Sequence, residues 1–218
     1  GHMFRHDITA AGVHFPTPPL SGGAPTARCL ILVTPDGQRT MNTYLGACVT
    51  FGPDDLDADA IRAARITYLE GYLFDPPHAQ DAFRQAARIA HAAGNKVAIT
   101  LSDPFCVERH RDAFLDFIRT EADILFANEH EILTLYKTAD FADAASAVRD
   151  DVGFAALTRS EQGSVLLSGT ASYAIRAVPT RVVDTTGAGD AYAAGVMAGL
   201  AAGVAMPEAG RMATSAFR

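Results

Sequence analysis

Residues 184–195 read DTTGAGDAYAAG, and they follow the β-branched pair Val182 and Val183 and lead into an alanine-rich segment. This order predicts a short strand, then a glycine turn, then the start of a helix. The first N–H groups of a helix have no partner within it, so those of Gly187, Ala188 and Gly189 can face an anion together with the positive end of the helix dipole. The stretch therefore predicts a phosphate-binding turn.

Asp190 lies in the first turn of this predicted helix, where a carboxylate would repel a phosphate unless it had a task of its own. That task could be to accept the proton of a hydroxyl group as it attacks phosphorus. An acidic residue is also favoured at helix starts for capping alone, and the turn by itself leaves both interpretations open.

Two familiar nucleotide-binding loops do not fit the turn. It lacks the Lys-Ser/Thr ending of a Walker A loop. As a dinucleotide fingerprint it would place Tyr192 where a small residue should allow close helix packing, and little chain remains for a second strand.

The composition restricts the class of protein. The chain has 218 residues, of which 49% are hydrophobic and 20% charged, as expected for a soluble protein with a substantial core. A net charge of −7 argues against a protein that binds nucleic acid or an anionic membrane through electrostatic attraction. Cys29, Cys48 and Cys106 are odd in number and widely spaced, so they suggest neither a disulfide framework nor a zinc site. No apolar run is long enough to span a bilayer, and we expect a cytoplasmic protein.

The middle of the chain alternates short apolar strands with helical patterns. This alternation predicts an α/β fold with a mostly parallel sheet flanked by helices. The strands are expected at 66–73, 96–101 and 124–127, with helices at 76–93 and 107–120. Two β-hairpins are also predicted, one at 27–34 and 40–45 around Asp36 and Gly37, and one at 164–167 and 172–177.

Polar residues follow each predicted strand of the parallel sheet. Ligands of open α/β sheets bind beyond the carboxyl ends of the strands, so these residues are the first candidates for a functional site. They lie at 70–72, 102–104, 128–131 and 158–163.

Three motifs of the chain carry a resemblance to a known family. Asp184–Asp190 matches the D-T-x-G-A-G-D signature of the ribokinase-like, or PfkB, sugar and nucleoside kinases. Asn128–Glu131 resembles the N-x-x-E motif of that family. Thr158–Gly163 resembles its T-x-G-x-x-G nucleotide loop, with Ser160 in place of the middle glycine. The chain looks most similar to bacterial adenosine-kinase-like members, and the resemblance implies a ribokinase-like three-layer sandwich with a small β-hairpin lid.

The resemblance also implies a reaction, the transfer of the γ-phosphoryl group of ATP to a hydroxymethyl group of a nucleoside or sugar. Asp190 would be the base, and the N–H groups of residues 187–189 would stabilise the transferred group. Asn128 and Glu131 would hold Mg²⁺ through water, although both could simply cap a helix.

Four further residues would line the nucleotide or ion sites. Thr158 and Gly163 would line the ATP site, although the same segment could be only a tight turn between strands. Asp184 and Thr186 match positions of a monovalent cation site in some relatives. They could bind K⁺, or their side chains could form only local hydrogen bonds of the turn. Arg39, alone after its hairpin turn, is expected to be solvated.

The expected organisation of the chain follows from this resemblance. Residues 1–3 look like an expression scar, 4–25 like a helix remnant and connector, 26–50 like the lid hairpin, and 51–218 like the α/β nucleotide-binding core. Both ends look cut, and the family's N-terminal strands, which carry part of the acceptor site, are missing.

Two expectations about activity and partners follow from the missing strands. The alternative to an active kinase is a catalytically inactive nucleotide-binding or interaction fragment. An exposed apolar sheet edge would invite a partner chain, so a homodimer through the lid or this edge is an open expectation. The partner otherwise expected is a small-molecule nucleoside or sugar, with no nucleic acid and no membrane.

Overall fold

The structure is a computed structural model that describes residues 1–36 and 39–215. The described residues form a six-stranded sheet and a separate two-stranded hairpin. The strands are β1 (Arg28–Val33), β2 (Arg39–Tyr44), β3 (Ile66–Glu70), β4 (Lys96–Thr100), β5 (Ile124–Asn128), β6 (Phe154–Thr158), β7 (Ser164–Ser168) and β8 (Ala171–Ile175). The helices are α1 (His2–Ala10), α2 (Ala58–Ala63), α3 (Pro77–Ala92), α4 (Pro104–Thr120), α5 (Glu129–Tyr136), α6 (Phe141–Asp151), α7 (Ala188–Ala202) and α8 (Met206–Ser215).

The large sheet has the strand order β3-β4-β5-β6-β7-β8. Its first four strands are parallel, and β7 and β8 are antiparallel additions. The predicted α/β fold with a mostly parallel sheet is therefore confirmed, as is the late hairpin. Because β3 to β6 are parallel, their carboxyl ends lie at one edge of the sheet.

Two hydrophobic layers cover the sheet, because successive side chains of a strand point to opposite faces. Val97, Ile99 and Leu125 face a core that includes buried residues of α3 to α6. Ala98 and Phe126 face the other core, which includes residues of α7 and α8. Helices on both faces of the sheet give the three-layer arrangement expected of a ribokinase-like fold.

The approach of α8 to α7 requires small residues. A Cβ atom added to Gly199 would lie 2.6 Å from Cβ of Ala209, closer than real Cβ contacts occur. Tyr192 of α7 connects that helix to β7, since its hydroxyl group shares a buried hydrogen bond of 2.6 Å with that of Ser164. These contacts fix the direction of α7 and therefore the place of its first turn.

The strand predicted at Val182 and Val183 is wrong. Residues 176–187 form no strand, and the side chains of Val182 and Val183 are 56% and 74% exposed. A strand needs a hydrogen-bonded neighbour, and β8 pairs only with β7 among the described residues. The segment before the glycine turn therefore crosses to α7 as an extended loop.

The first hairpin is separate from the large sheet. β1 and β2 pair antiparallel, from Arg28 opposite Tyr44 to Val33 opposite Arg39. Every residue of both strands is exposed, including Leu30 and Leu32. The hairpin is confirmed in its strands, whereas Gly37 and Gln38 of the predicted turn lie outside the described residues. None of the described helices is long and apolar enough to cross a membrane.

Candidate active site

The glycine turn is shaped by one residue in the left-handed region. Gly187 has φ of +75°, precedes the first residue of α7, and has no atom within 4 Å of the place where a Cβ would lie. A Cβ position on Gly189 is equally open. The backbone therefore leaves open space at the start of α7, where the oxygen atoms of a phosphate group could approach it.

The three N–H groups predicted to face an anion are not equivalent. The N–H of Ala188 donates to the carbonyl oxygen of Thr185 at 3.1 Å, so the turn itself already uses it. This corrects the expectation that all three are available. Among the described residues, the N–H groups of Gly187 and Gly189 have no protein acceptor.

Asp184 and Thr186 contribute to the same turn. The N–H of Thr186 donates to Oδ1 of Asp184 at 2.8 Å, and this hydrogen bond, with a smaller contribution from the charge of Arg39, lowers the pKa of Asp184. One carboxylate oxygen of Asp184 therefore accepts a local hydrogen bond within the turn, the interpretation that stands beside a K⁺ site.

Asp190 lies exposed in the first turn of α7, near the carboxyl end of β3. Its negative charge contributes to raising the pKa values of Tyr68 and Glu70, in both cases after the larger effect of burial. An exposed carboxylate beside the open glycine turn is accessible to a hydroxyl group whose proton it could accept.

Arg39 is exposed, as expected, but its guanidinium group also reaches the glycine turn from the hairpin. Its Nη1 atom donates to Oγ1 of Thr185 at 2.7 Å, across 146 residues of sequence. A lone arginine after a turn gives no signal of its target. Only the placement of the hairpin over the start of α7 brings the guanidinium group to the turn.

Asn128 and Glu131 form a capping box at the start of α5. The N–H of Glu131 donates to Oδ1 of Asn128 at 2.9 Å, and the N–H and Nδ2 of Asn128 donate to the two carboxylate oxygens at 2.8 and 2.6 Å. Glu131 is buried, and burial raises its pKa to about 7, with the charges of Asp103 and Glu70 adding to the effect.

The donor set of this capping box suits Mg²⁺ in its chemistry but not as a direct ligand cage. Carboxylate and amide oxygens are what the ion prefers, yet each is already bonded to its neighbour, so only the remaining lone pairs could accept from water molecules of a hydrated ion. No group of three or more His, Cys, Asp or Glu within residues 1–36 and 39–215 is arranged to hold a metal directly. The residues therefore fit Mg²⁺ through water only.

The segment Thr158–Gly163 is a tight turn between β6 and β7. The N–H of Arg159 donates to the carbonyl of Gly163 at 2.8 Å, and Ser160 has φ of +49°, a left-handed value that a glycine would adopt without strain. Gly163 has φ of +89°, and a Cβ there would overlap the carbonyl oxygen of Ile175. Gly163 is therefore required by the fold itself, whatever it contacts in a ligand.

Parallel pairing brings the motifs to one edge. Thr158 is the register partner of Asn128, so the turn after β6 and the capping box are neighbours at the carboxyl ends of β6 and β5. Glu70 and Ser102 lie at the same edge on the β3 and β4 side, where the hydroxyl group of Ser102 donates to the carboxylate of Glu70. A cavity of about 590 Å³ between α4 and α5 contains none of the predicted site residues. The predicted site residues lie outside this cavity, along the carboxyl edge of the sheet.

Comparison with known proteins identifies the family of the chain. The model of the pfkB family of carbohydrate kinases matches residues 1–216. The chain belongs to the pfkB family. The adenosine kinase of Saccharomyces cerevisiae is 32% identical to this pfkB chain over 193 residues, covering 82% of the chain and 56% of that protein. The ATP-dependent ribose-1-phosphate kinase of Halopiger xanaduensis is 31% identical over 205 residues, covering 91% of the chain and 62% of that protein.

Solved structures of pfkB-like kinases share the fold. The structure of adenosine kinase from Sinorhizobium meliloti is 52% identical, with a TM-score of 0.96, and the match covers 99% of this chain and 67% of that one. A probable sugar kinase from Rhizobium etli is 49% identical, also with a TM-score of 0.96, and the match covers 99% of this chain and 66% of that one. The chain spans 56% and 62% of the lengths of the two relatives above.

Proposed function

We propose that this chain is the donor-binding and catalytic part of a kinase that transfers the γ-phosphoryl group of ATP to a hydroxymethyl group of a nucleoside or sugar. The observation that carries the proposal is the convergence on one turn of an open anion-binding backbone, the carboxylate of Asp190 and the guanidinium group of Arg39. Phosphoryl transfer needs positioning and neutralisation of charge rather than a covalent nucleophile, and these groups supply both.

Each group has a separate role in the proposed reaction. Asp190 accepts the proton of the acceptor hydroxyl as its oxygen attacks the γ-phosphorus. The free N–H groups of Gly187 and Gly189, with the dipole of α7, stabilise the negative charge of the transferred group. Arg39 adds a positive charge from the lid side, where it is already held by Thr185.

The ATP side is proposed to lie over β5 to β7. Thr158 and Gly163 would line the path of the nucleotide, beside Asn128 and Glu131. These last two residues would hold Mg²⁺ through its water shell, and the ion when bound would neutralise charge on the phosphate oxygens. K⁺ at Asp184 and Thr186 stays a prediction, as does a cytoplasmic location.

The decisive test is Asp190→Asn in a coupled assay of ADP release with adenosine or ribose as acceptor. We expect the rate to fall by a factor on the order of 10² to 10⁴, because the base is lost while the shape of the turn is kept. The melting temperature should change little, since Asp190 is exposed. Asp112→Asn, at a carboxylate 97% exposed on α4, is the matched control and should keep full activity.

A second candidate is a nucleotide-binding part without catalysis of its own. It is favoured by the share of the relatives that the chain covers, 56% and 62%, since further residues could contribute to an acceptor site. If ATP raises the melting temperature while no acceptor is phosphorylated, this candidate replaces the first. If the chain shows neither ATP binding nor turnover, both candidates are rejected.

A further inference from the structure

Two charged side chains join the turn after β6 to the start of α5. The backbone pairing of β5 with β6 ends at Asn128 opposite Thr158. The next residue on each segment is charged, and Nη2 and Nε of Arg159 donate to Oε1 of Glu129 at 2.8 and 3.2 Å. An ion pair therefore continues the connection between the two segments by one residue beyond the sheet.

The guanidinium group of Arg159 has a second contact on α6. Its Cζ atom lies 4.0 Å from the centroid of the ring of Phe141, the first residue of that helix, and Phe141 packs against the larger core. The side chains of Arg159 and Glu129 are only 26% and 24% exposed. A planar guanidinium group that lies over a ring and donates two hydrogen bonds is held more rigidly than a solvated surface ion pair.

The turn that contains Arg159 needs such support. Ser160 has a left-handed backbone with φ of +49°, which costs energy for a residue with a Cβ. Within the turn, the N–H of Arg159 donates to the carbonyl oxygen of Gly163 at 2.8 Å, and the N–H of Gly163 donates to that of Ser160 at 3.0 Å. A strained conformation persists where its surroundings hold it from several sides. Arg159 supplies that hold from α5 and α6.

The two residues of the ion pair occupy positions that the family motifs leave free. Glu129 is at a free position of the N-x-x-E pattern, and Arg159 is at the free position after the threonine of the T-x-G-x-x-G pattern. Their contact joins the two places where the proposed function puts Mg²⁺ and ATP. The two motifs are therefore connected in this chain through residues that neither pattern specifies.

We propose that Arg159 is a positioning residue that holds the ATP-binding turn against the capping box for Mg²⁺, so that the two ligands bind with positive coupling. The inference rests on the proposed function. The hydrated ion and the phosphates of ATP must meet, so fixing the two sites relative to each other lowers the cost of binding both ligands together. Arg159 acts through Glu129 and Phe141 rather than by touching a ligand.

The test measures ATP binding by isothermal titration calorimetry, with and without Mg²⁺ and in the absence of an acceptor. For the unsubstituted chain, we expect Mg²⁺ to raise the affinity for ATP. Arg159→Met keeps a long side chain but removes the charge and both hydrogen bonds. It should weaken ATP binding in the presence of Mg²⁺ about fivefold or more and reduce the gain from Mg²⁺. Arg159→Lys keeps the charge and should retain more of both.

Arg84→Met is the matched control. Arg84 of α3 likewise donates to a carboxylate, that of Asp116 at 2.6 Å, and its Cζ atom lies over the ring of Phe117, 6.0 Å from the centroid. This ion pair joins α3 to α4 and involves none of the predicted site residues. Its loss should leave the affinity for ATP and the gain from Mg²⁺ unchanged.

Glu129→Gln tests the partner in the ion pair. Its amide oxygen can still accept a hydrogen bond, so it should weaken binding less than Arg159→Met, and adding it to Arg159→Met should cause no further loss. Losses that simply add would show that the two residues act separately, which would overturn the inference. If Arg159→Met fails to fold, a smaller gain from Mg²⁺ in Glu129→Gln supports the inference and an unchanged gain overturns it.

The outcomes also separate this inference from the proposed function. A lower melting temperature of Arg159→Met, with the affinity for ATP and the gain from Mg²⁺ intact, would show a merely structural role and overturn the inference alone. The same holds if Mg²⁺ brings no gain in the unsubstituted chain. Binding of ATP without turnover rejects the catalytic proposal and leaves this inference standing, whereas a chain that does not bind ATP rejects both.

Discussion

Arg39 shows how much a single residue depends on its distant partner. The residue is the first of β2, a strand whose sequence has no special pattern, and its sequence neighbourhood favours a solvated side chain. In the structure it donates to Thr185 at 2.7 Å and adds the only guanidinium group that touches the glycine turn among the described residues. A positive charge at that place has an obvious use in phosphoryl transfer.

Arg39→Ala should lower kcat by about tenfold or more, because the transferred phosphoryl group would lose the positive charge that stabilises it in the transition state. Steady-state kinetics with saturating ATP measures the effect. Arg28→Ala is the matched control, since Arg28 is on the same hairpin but its side chain alternates to the opposite face from that of Arg39. Equal losses in both variants would show that the hairpin needs its arginines for folding rather than for the reaction.

Asp75 gives a prediction about pH at the residue scale. Burial raises its pKa, but the hydrogen bonds from Arg109 at 2.9 Å and from His110 at 2.6 Å outweigh this and bring the pKa below its ordinary value of 3.8. A carboxyl group with a lowered pKa stabilises the fold above its unfolded pKa, and this stabilisation is lost as pH falls through the folded value.

Asp75→Asn should therefore lower the free energy of unfolding at neutral pH by about 1 kcal/mol or less, as the pair is partly exposed. The difference from the unsubstituted chain should vanish at pH values well below 3.8. Urea unfolding at several pH values measures it, with Asp81→Asn, at an exposed carboxylate of α3, as control. A difference that stays constant down to acid pH would contradict the ion-pair explanation.

At the scale of elements, one short motif can both determine the local backbone and place polar atoms at the carboxyl edge of the sheet. The capping box of Asn128 and Glu131 starts α5 and also presents oxygen atoms at the carboxyl edge. Gly163 ends the turn after β6 because the backbone of β8 passes too close for a side chain. The family motif and the structural requirement coincide at these residues, so the motif by itself does not show that they contact a ligand.

Gly163→Ala should destabilise the chain by about 2 kcal/mol or more, since the substitution adds a left-handed strain and a steric overlap with Ile175. Thermal or urea unfolding measures the change. Gly153→Ala is the control, because a Cβ there would have its nearest neighbour at 3.8 Å, an ordinary contact. Normal stability of Gly163→Ala with weakened ATP binding would instead assign the glycine to the ligand.

At the scale of the whole molecule, the distribution of buried surface is uneven. Phe74 stacks on Phe114 with ring centroids 4.1 Å apart and contacts Phe83 and Phe117 edge-on, in the core between α3 and α4. Leu30 on the hairpin is 72% exposed. Stability should therefore reside in the sheet and its helices, and the hairpin should contribute little.

Phe74→Ala should lower the free energy of unfolding by about 3 to 5 kcal/mol, the range for a large aromatic residue removed from a packed core. Leu30→Ala should change it by less than about 0.5 kcal/mol. Urea unfolding followed by circular dichroism compares the two. A large loss in Leu30→Ala would show that a further surface packs on the hairpin in solution.

The sequence by itself determined the α/β class, the mostly parallel character of the sheet and the resemblance to the family. Apolar periodicity and glycine positions depend on neighbours a few residues apart, and the motif at 184–190 is a local backbone device, so both can be recognised in one dimension. Three features needed the tertiary structure: the contact of Arg39 with Thr185, the fixed carboxylate of Glu70, and the absence of a strand at Val182 and Val183. Each depends on which distant segment lies alongside, and hydrogen-bond partners 32 or 146 residues apart leave no periodic trace in the chain.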